Sequence, residues 1–253
     1  MAAETTLYVV PASHPCACVE RALELKGIPF RRVDLLPVLH KALQRARFGQ
    51  GTVPGIRFAD GEKVVGSRAI LRALDVRAPE PALLPPEPAA RARVLEAEAW
   101  GDEVLQPLGR RVSWAALRRS PAAMPSYSEG ASLPVPMRLA ALSAGPVAFA
   151  ETRINKASDS AARADLHALP GHLDKVDGWI ADGVLGGARP NAADLQIGSG
   201  LRLLLTFEDI APLIDARPAG ELAAGQFPGL PGPDPGRHAA GPLAALIRRR
   251  LCS

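Results

Sequence analysis

Ser13, His14, Pro15 and Cys16 follow one another between an apolar stretch, residues 6–11, and a helix-like stretch that begins near Cys16. Groups at a helix N-terminus meet free backbone N–H groups and the positive end of the dipole, so an anion is favoured there. A thiolate is such an anion. The Ser13 hydroxyl could donate a hydrogen bond to a bound thiolate and so lower the thiol pKa, or it could serve as a helix cap. Cys16 is the second catalytic candidate. In a first helical turn a cysteine pKa is often lowered, and Ser13-x-x-Cys16 looks like a redox Cys-x-x-Cys whose first thiol is replaced. The bland alternative for Cys16 is a small buried helix residue. His14 could contact substrate or shuttle a proton near neutral pH; a lone loop histidine is otherwise solvated.

A second constellation lies in TVPGIRFADGEKVVGSRAILRALD, residues 52–75. If the Val53–Pro54 bond is cis, the Val53 N–H and C=O turn outward and can pair with an extended peptide as an added strand would. An ordinary trans proline at the start of a strand fits the same residues. Ser67 opens a helix after Gly66, and its hydroxyl and the helix N–H groups can hold a carboxylate; plain capping is the competing reading. Thiol activation, a strand-like edge at Thr52, Val53 and Pro54, and a carboxylate site at Gly66 and Ser67 together suit a compact γ-glutamyl or other thiol conjugate.

The elements that position these residues are readable from pattern. Strands are expected at residues 6–11, 30–34, 55–58 and 63–65, the last two joined by the Asp60-Gly61 turn. Helices are expected at 16–26, 38–48 (Leu39 and Leu43 on one side) and 67–75 (Ile70, Leu71 and Leu74 inward). The order βαβαββα implies an α/β layer with a mixed sheet. Five prolines between Pro79 and Pro88 suit a semi-rigid linker, which divides the chain into domains 1–78 and 89–253. The second part is helical at 89–119, 137–157, 161–182, 192–207 and 209–216. Residues 120–136 read as a mobile flap, residues 217–242 as a Pro/Gly-rich tail, and Pro242 to Leu251 as a last helix. Asn191-Ala-Ala-Asp194 has the form of a capping box, a folding device and not a catalytic one.

Composition narrows the function classes. A hydrophobic share of 47% is enough for a real core, while no apolar run approaches the ~20 residues of a membrane span. The start MAAETTLYVV lacks the pattern of a signal peptide, so a soluble, cytoplasmic protein without a membrane partner is the expectation. The net charge of +4 comes from scattered arginines, and aromatics are only 4%, which argues against nucleic-acid binding. Three cysteines, Cys16, Cys18 and Cys252, form no disulfide framework. Cys16-Ala17-Cys18 lacks a second Cys/His pair for zinc, so no metal is expected.

These residues resemble the glutathione transferase family over about residues 5–75. Ser13 falls where the Ser- and Cys-type classes place their activating residue. ERALELKGIPF resembles the family's first helix and turn, and Arg47-Phe48-Gly49 leads into Thr52-Val53-Pro54 as the family's loop does. Gly66-Ser67-Arg68-Ala69-Ile70 matches its Glu/Gln-Ser-x-Ala-Ile, and Pro190-Asn191-Ala-Ala-Asp194-Leu195 resembles its late capping box. The resemblance implies a thioredoxin-like domain followed by an all-helical domain, usually as a two-fold dimer. It carries the family's cis-proline to Pro54 and its thiol-peptide contacts to Val53 and Ser67. It implies conjugation of a thiol to an electrophilic small molecule, with the thiol as co-substrate and no other cofactor. Gly66 departs from the family's Glu or Gln, so the thiol is glutathione or a substitute. A non-catalytic binding module and a Cys16-dependent thiol reductase are the alternative functions.

Overall fold

The computed structural model describes residues 4–228. Four short strands, β1 (Thr6–Val9), β2 (Arg31–Asp34), β3 (Gly55–Arg57) and β4 (Lys63–Val65), form one sheet in the order β2-β1-β3-β4. β1 pairs parallel with β2 and antiparallel with β3, which pairs antiparallel with β4. The parallel pair needs a crossover, supplied by α1 (His14–Leu25); the β3–β4 pair closes through a tight turn. In that turn Asp60 accepts from the Glu62 N–H, and Gly61 takes a φ of 92°, a left-handed conformation that favours glycine. α2 (His40–Phe48) and α3 (Ser67–Arg77) complete the expected βαβαββα order.

The elements differ from their expected bounds in informative ways. α1 starts two residues early because Pro15 suits the first helical turn, where its missing N–H costs nothing. In α2 the face bearing Leu39 and Leu43 is exposed, and His40 and Gln44 are the buried pair. Gln44 donates to the Thr52 carbonyl at 3.0 Å, so α2 fastens the loop before Pro54. α3 buries Ile70, Leu71 and Leu74 as its spacing dictates.

The proline-rich stretch is pinned between the two parts of the chain. The buried Lys26 ammonium donates to the Ala78 and Pro81 carbonyls at 2.6 and 2.9 Å and pairs with Asp75 at 2.8 Å. Leu83 and Leu84 are buried, and the Leu83 carbonyl accepts from the Ala192 N–H at 2.8 Å.

Everything described beyond it is helical or irregular. α4 (Pro88–Trp100) and α5 (Gln106–Arg119) are joined by a π-helical turn, Gly101–Leu105. A Cβ at Gly101 would come within 2.9 Å of Ile197 Cγ1, so glycine lets the neighbouring helix approach. The expected flap is a packed segment: a 3-10 helix (Pro121–Ser128) whose Tyr127 is buried and hydrogen-bonded to Thr206 at 2.9 Å. The Ser132 N–H donates to Asp34 Oδ2 at 2.8 Å. Ser143 breaks the expected 137–157 helix into α6 (Met137–Leu142) and α7 (Ala144–Ile154). α8 (Asp159–Ala181), α9 (Ala192–Leu204) and α10 (Ala211–Asp215) follow as read. The expected tail contains α11 (Pro218–Gln226), buried through Ala219, Leu222 and Ala223; the last expected helix and Cys252 lie outside the described residues. α9 is the central strut: it packs on α1, α4, α5 and α11, and twelve of its thirteen residues are buried. No described helix is long and apolar enough to cross a membrane.

Candidate functional site

The N-terminus of α1 faces α5 across a cavity of about 150 Å³ between the two parts of the chain. One wall comes from residues 10–15, Pro37, His40, Lys41, Thr52 and Val53. The other comes from Arg110, Ser113, Trp114 and Leu117 of α5, with Met124, Tyr127 and Ser128, then Glu151 of α7 and Asn155 just after it, and Leu203. The α5 residues sit at i, i+3, i+4 and i+7, one stripe of the helix.

Ser13 is the N-cap residue of α1, yet its side chain caps no backbone N–H. Its carbonyl accepts from the Cys16 and Ala17 N–H groups at 2.9 and 3.0 Å, so the backbone alone opens the helix. The hydroxyl stays at the mouth of the dipole, beside the Cys16 thiol, whose pKa it works to lower. Cys16 itself is buried and does not line the cavity. Burial pushes its thiol up to about 12, against the smaller lowering from Ser13 and the Val10 backbone. The lowering expected from a first-turn position is thus reversed, because desolvation outweighs the dipole. Cys18 is buried too, on Gln196 at 3.6 Å, with its pKa well above the ordinary range through burial.

His14 is a correction to the solvated-loop reading. It is the first residue of α1, only 3% exposed, and packed against α5. Burial, with Arg110 second, lowers its pKa to about 3, partly offset by a hydrogen bond to the Gln106 carbonyl. Its Nε2 is buried and has no partner among the described residues. At neutral pH it is an uncharged imidazole with a lone pair to offer, not a proton shuttle.

The Val53–Pro54 bond is cis. The Val53 N–H donates to no described residue, and its carbonyl accepts only a long bond, 3.4 Å, from the Thr52 hydroxyl. This is the unpaired edge an extended peptide requires. Pro54, Gly66 and Ser67 do not line the cavity. They stand behind Val53: the Gly66 N–H donates to the Pro54 carbonyl at 2.9 Å, and Ser67 is buried as the first residue of α3. Gly66 takes a φ of 90° with open space where a Cβ would stand. A strained backbone, not crowding, is what its glycine answers.

Sequence reasoning missed His40, Lys41, Arg110, Ser113, Glu151 and Asn155, because their elements meet only after folding. His40 is held neutral by burial and by Lys41, with a pKa of about 4 and an Nδ1 that has no partner among the described residues. Glu151 is 3% exposed and committed: it accepts from the Val38 N–H and from Asn155, both at 2.9 Å. Among the described residues no group of side chains is arranged to hold a metal ion.

Residues 7–82 match the family model described as the glutathione S-transferase N-terminal domain. No curated protein matches the chain. Among solved structures, a glutathione S-transferase from Rhodospirillum rubrum F11 is similar with a TM-score of 0.56 and 23% identity, over 90% of this chain and 96% of that one. Glutathione transferase F7 from Populus trichocarpa gives 0.60 and 15%, over 96% and 97%. A glutathione S-transferase from Methylobacterium radiotolerans, in complex with glutathione sulfonate, gives 0.52 and 19%, over 91% and 96%. At these identities the structural likeness establishes the fold, a small mixed-sheet domain followed by a helical one.

Proposed function

We propose that this chain, glutathione S-transferase-like in its N-terminal domain and in its fold, joins a low-molecular-weight thiol of the glutathione kind to an electrophilic small molecule. The observation that carries the reading is the Ser13 hydroxyl, released from capping at the N-terminus of α1 and facing the same cavity as the free Val53 N–H. The Val53 edge holds the peptide part of the thiol, and the start of α3 at Ser67 takes its terminal carboxylate. The Ser13 O–H donates to the sulfur and lowers its pKa. The S–H proton leaves to solvent and the thiolate attacks the electrophilic carbon: the C–S bond forms, and the leaving group departs with the electron pair of the bond that breaks. Positioning and pKa lowering supply the rate. A cytoplasmic two-fold dimer goes with this reading.

Cys16 has a supporting part in it. Held as a neutral thiol by burial, it is no thiolate competing for the Ser13 proton, which stays for the substrate sulfur. Ser13→Ala is expected to lower turnover at least tenfold, with glutathione affinity by calorimetry changed far less. Cys16→Ser and Cys16→Ala should both retain most activity, because Cys16 is a buried neutral thiol outside the cavity lining. Unchanged turnover in Ser13→Ala would sink Ser13 as activator. Activity abolished by Cys16→Ser but not by Ser13→Ala would establish the thiol-reductase chemistry instead. Binding of glutathione without turnover on a broad electrophile panel would leave a non-catalytic module.

A further inference from the structure

Arg110 lines the cavity half-buried, and among the described residues it makes no hydrogen bond and no ion pair. The carboxylates that act on it from a distance, Asp102 and Glu151, are spent elsewhere. Asp102 accepts from Gln106 and Gln196 and lies 3.8 Å from Arg68; Glu151 holds Val38 and Asn155. Three residues along the same face of α5, the Ser113 hydroxyl is buried without a partner among the described residues. With Lys41, the lining carries two cations against the single carboxylate of Glu151, while His14 and His40 are neutral. A guanidinium fork and a hydroxyl donor with nothing to bind are a seat for a carboxylate.

A second cavity, of about 460 Å³, adjoins the first and shares Pro37, Met124 and Ser128 with it. Its remaining walls are almost entirely hydrocarbon: Leu36, Leu39, Leu133, Val135, Leu139 and Val147 among them. Polar groups converge at one end of the combined space and none but Ser128 and Ser143 offers a side-chain hydrogen bond at the other. Two molecules of solvent-like size would leave that apolar end unused; one elongated amphiphile fills both.

We infer that the electrophile is an amphiphilic carboxylate that bears the reactive carbon and its leaving group between head and tail, its head on Arg110 and Ser113 and its unbranched apolar chain running past Met124 into the second cavity; saturated carboxylates serve as its unreactive probes. The inference takes its chemistry from the proposed thiol transfer, but binding tests it separately. Hexanoate, octanoate and decanoate are titrated calorimetrically into the full chain, beside 1-decanol. Affinity should rise about threefold to fourfold per added methylene, and decanol should bind at least tenfold more weakly than decanoate. Arg110→Gln should erase that preference and Arg110→Lys should keep most of it. Ala140→Trp, which fills the apolar cavity, should flatten the chain-length series while hexanoate binding stays as it was. Decanol binding as tightly as decanoate, a flat series in the unmutated protein, or decanoate binding indifferent to Arg110→Gln would each overturn the inference. Ser13→Ala keeps the two readings apart: it should lower thiol transfer at least tenfold without weakening decanoate, and a protein that binds decanoate with the stated Arg110 and chain-length dependence but transfers no thiol keeps the carboxylate site and loses the thiol-transfer reading.

Discussion

His14 pairs a charge-capable ring with a site that will not accept the charge. Its folded-state pKa of about 3 lies below its ordinary 6.5, the result first of burial and then of Arg110. The unfolded chain therefore binds a proton that the folded chain refuses, and stability falls as pH drops from about 6.5 toward 3. The slope from this residue is about 1.4 kcal/mol per pH unit. His40 adds a loss of the same sign down to about 4, while Glu20, raised to about 7 by burial, adds a gain as pH falls between 7 and 4.5. Comparison with His14→Gln isolates the one term: in urea titrations at pH 7, 6 and 5, the variant should lose stability with acid less steeply than the unmutated protein. Parallel slopes would show that His14 protonates in the folded state. None of this was legible in Ser13-His14-Pro15-Cys16 read alone, because what buries the imidazole is α5, nearly a hundred residues away. The Ser13 position was legible, since a helix start after a strand is a local pattern; that its side chain caps nothing was not.

The elements divide along the same line. α9 was readable because its instructions are local. The Asn191 side chain accepts from the Ala193 and Asp194 N–H groups at 2.8 and 3.1 Å, and Asp194 accepts back from the Asn191 N–H at 2.8 Å. The same Asn191 donates to the Val184 carbonyl, and Asp194 also takes the Gly186 N–H, so the box fastens the preceding turn as well as the helix. Asn191→Ala removes one cap and one side-chain bond from the helix that the rest of the domain packs on. It should cost about 1–2 kcal/mol in denaturant unfolding, with the midpoint shifted and the slope retained. A loss of a few tenths would show that packing of α9 alone sets its start. The buried face of α2 and the packing of the 120–136 segment were not legible for the opposite reason. Spacing put Leu39 and Leu43 on one side of α2, but the buried side is the one carrying Gln44, held by a tertiary bond to Thr52. Prolines and small residues signalled mobility in the flap, but Tyr127 anchors it on Thr206, a partner no local pattern could name.

On the scale of the whole molecule, the cavity keeps its shape only if α1 and α5 hold their distance, and that depends on how the two parts of the chain are joined. They share one buried core, which runs from Leu7 and Ile56 under the sheet to Leu195 and Ile214 among the helices. A charged fastening crosses the same boundary: Arg72 of α3 donates both guanidinium arms to Glu98 of α4, whose side chain is fully buried. Burial raises the Glu98 pKa, and the pairing with Arg72 works against that rise. Removing the partner strands a carboxylate in the interface, the costly way to break a buried pair. Arg72→Ala should therefore destabilise by about 2 kcal/mol, below the roughly 3–5 kcal/mol of a fully enclosed pair, because Arg72 is 32% exposed and Arg68 Nε still lies 3.7 Å from Glu98. The second half of the expectation concerns cooperativity. All three tryptophans, Trp100, Trp114 and Trp179, sit in the helical part, so their fluorescence reports that part alone, while amide exchange in β1 reports the sheet. With a common core the two should lose structure together, in the unmutated protein and in Arg72→Ala alike. If the β1 amides exchange at a denaturant concentration where the tryptophans are still native, the sheet domain opens by itself. The wall bearing Ser13 would then be an independently moving part, and not a fixed face of the cavity.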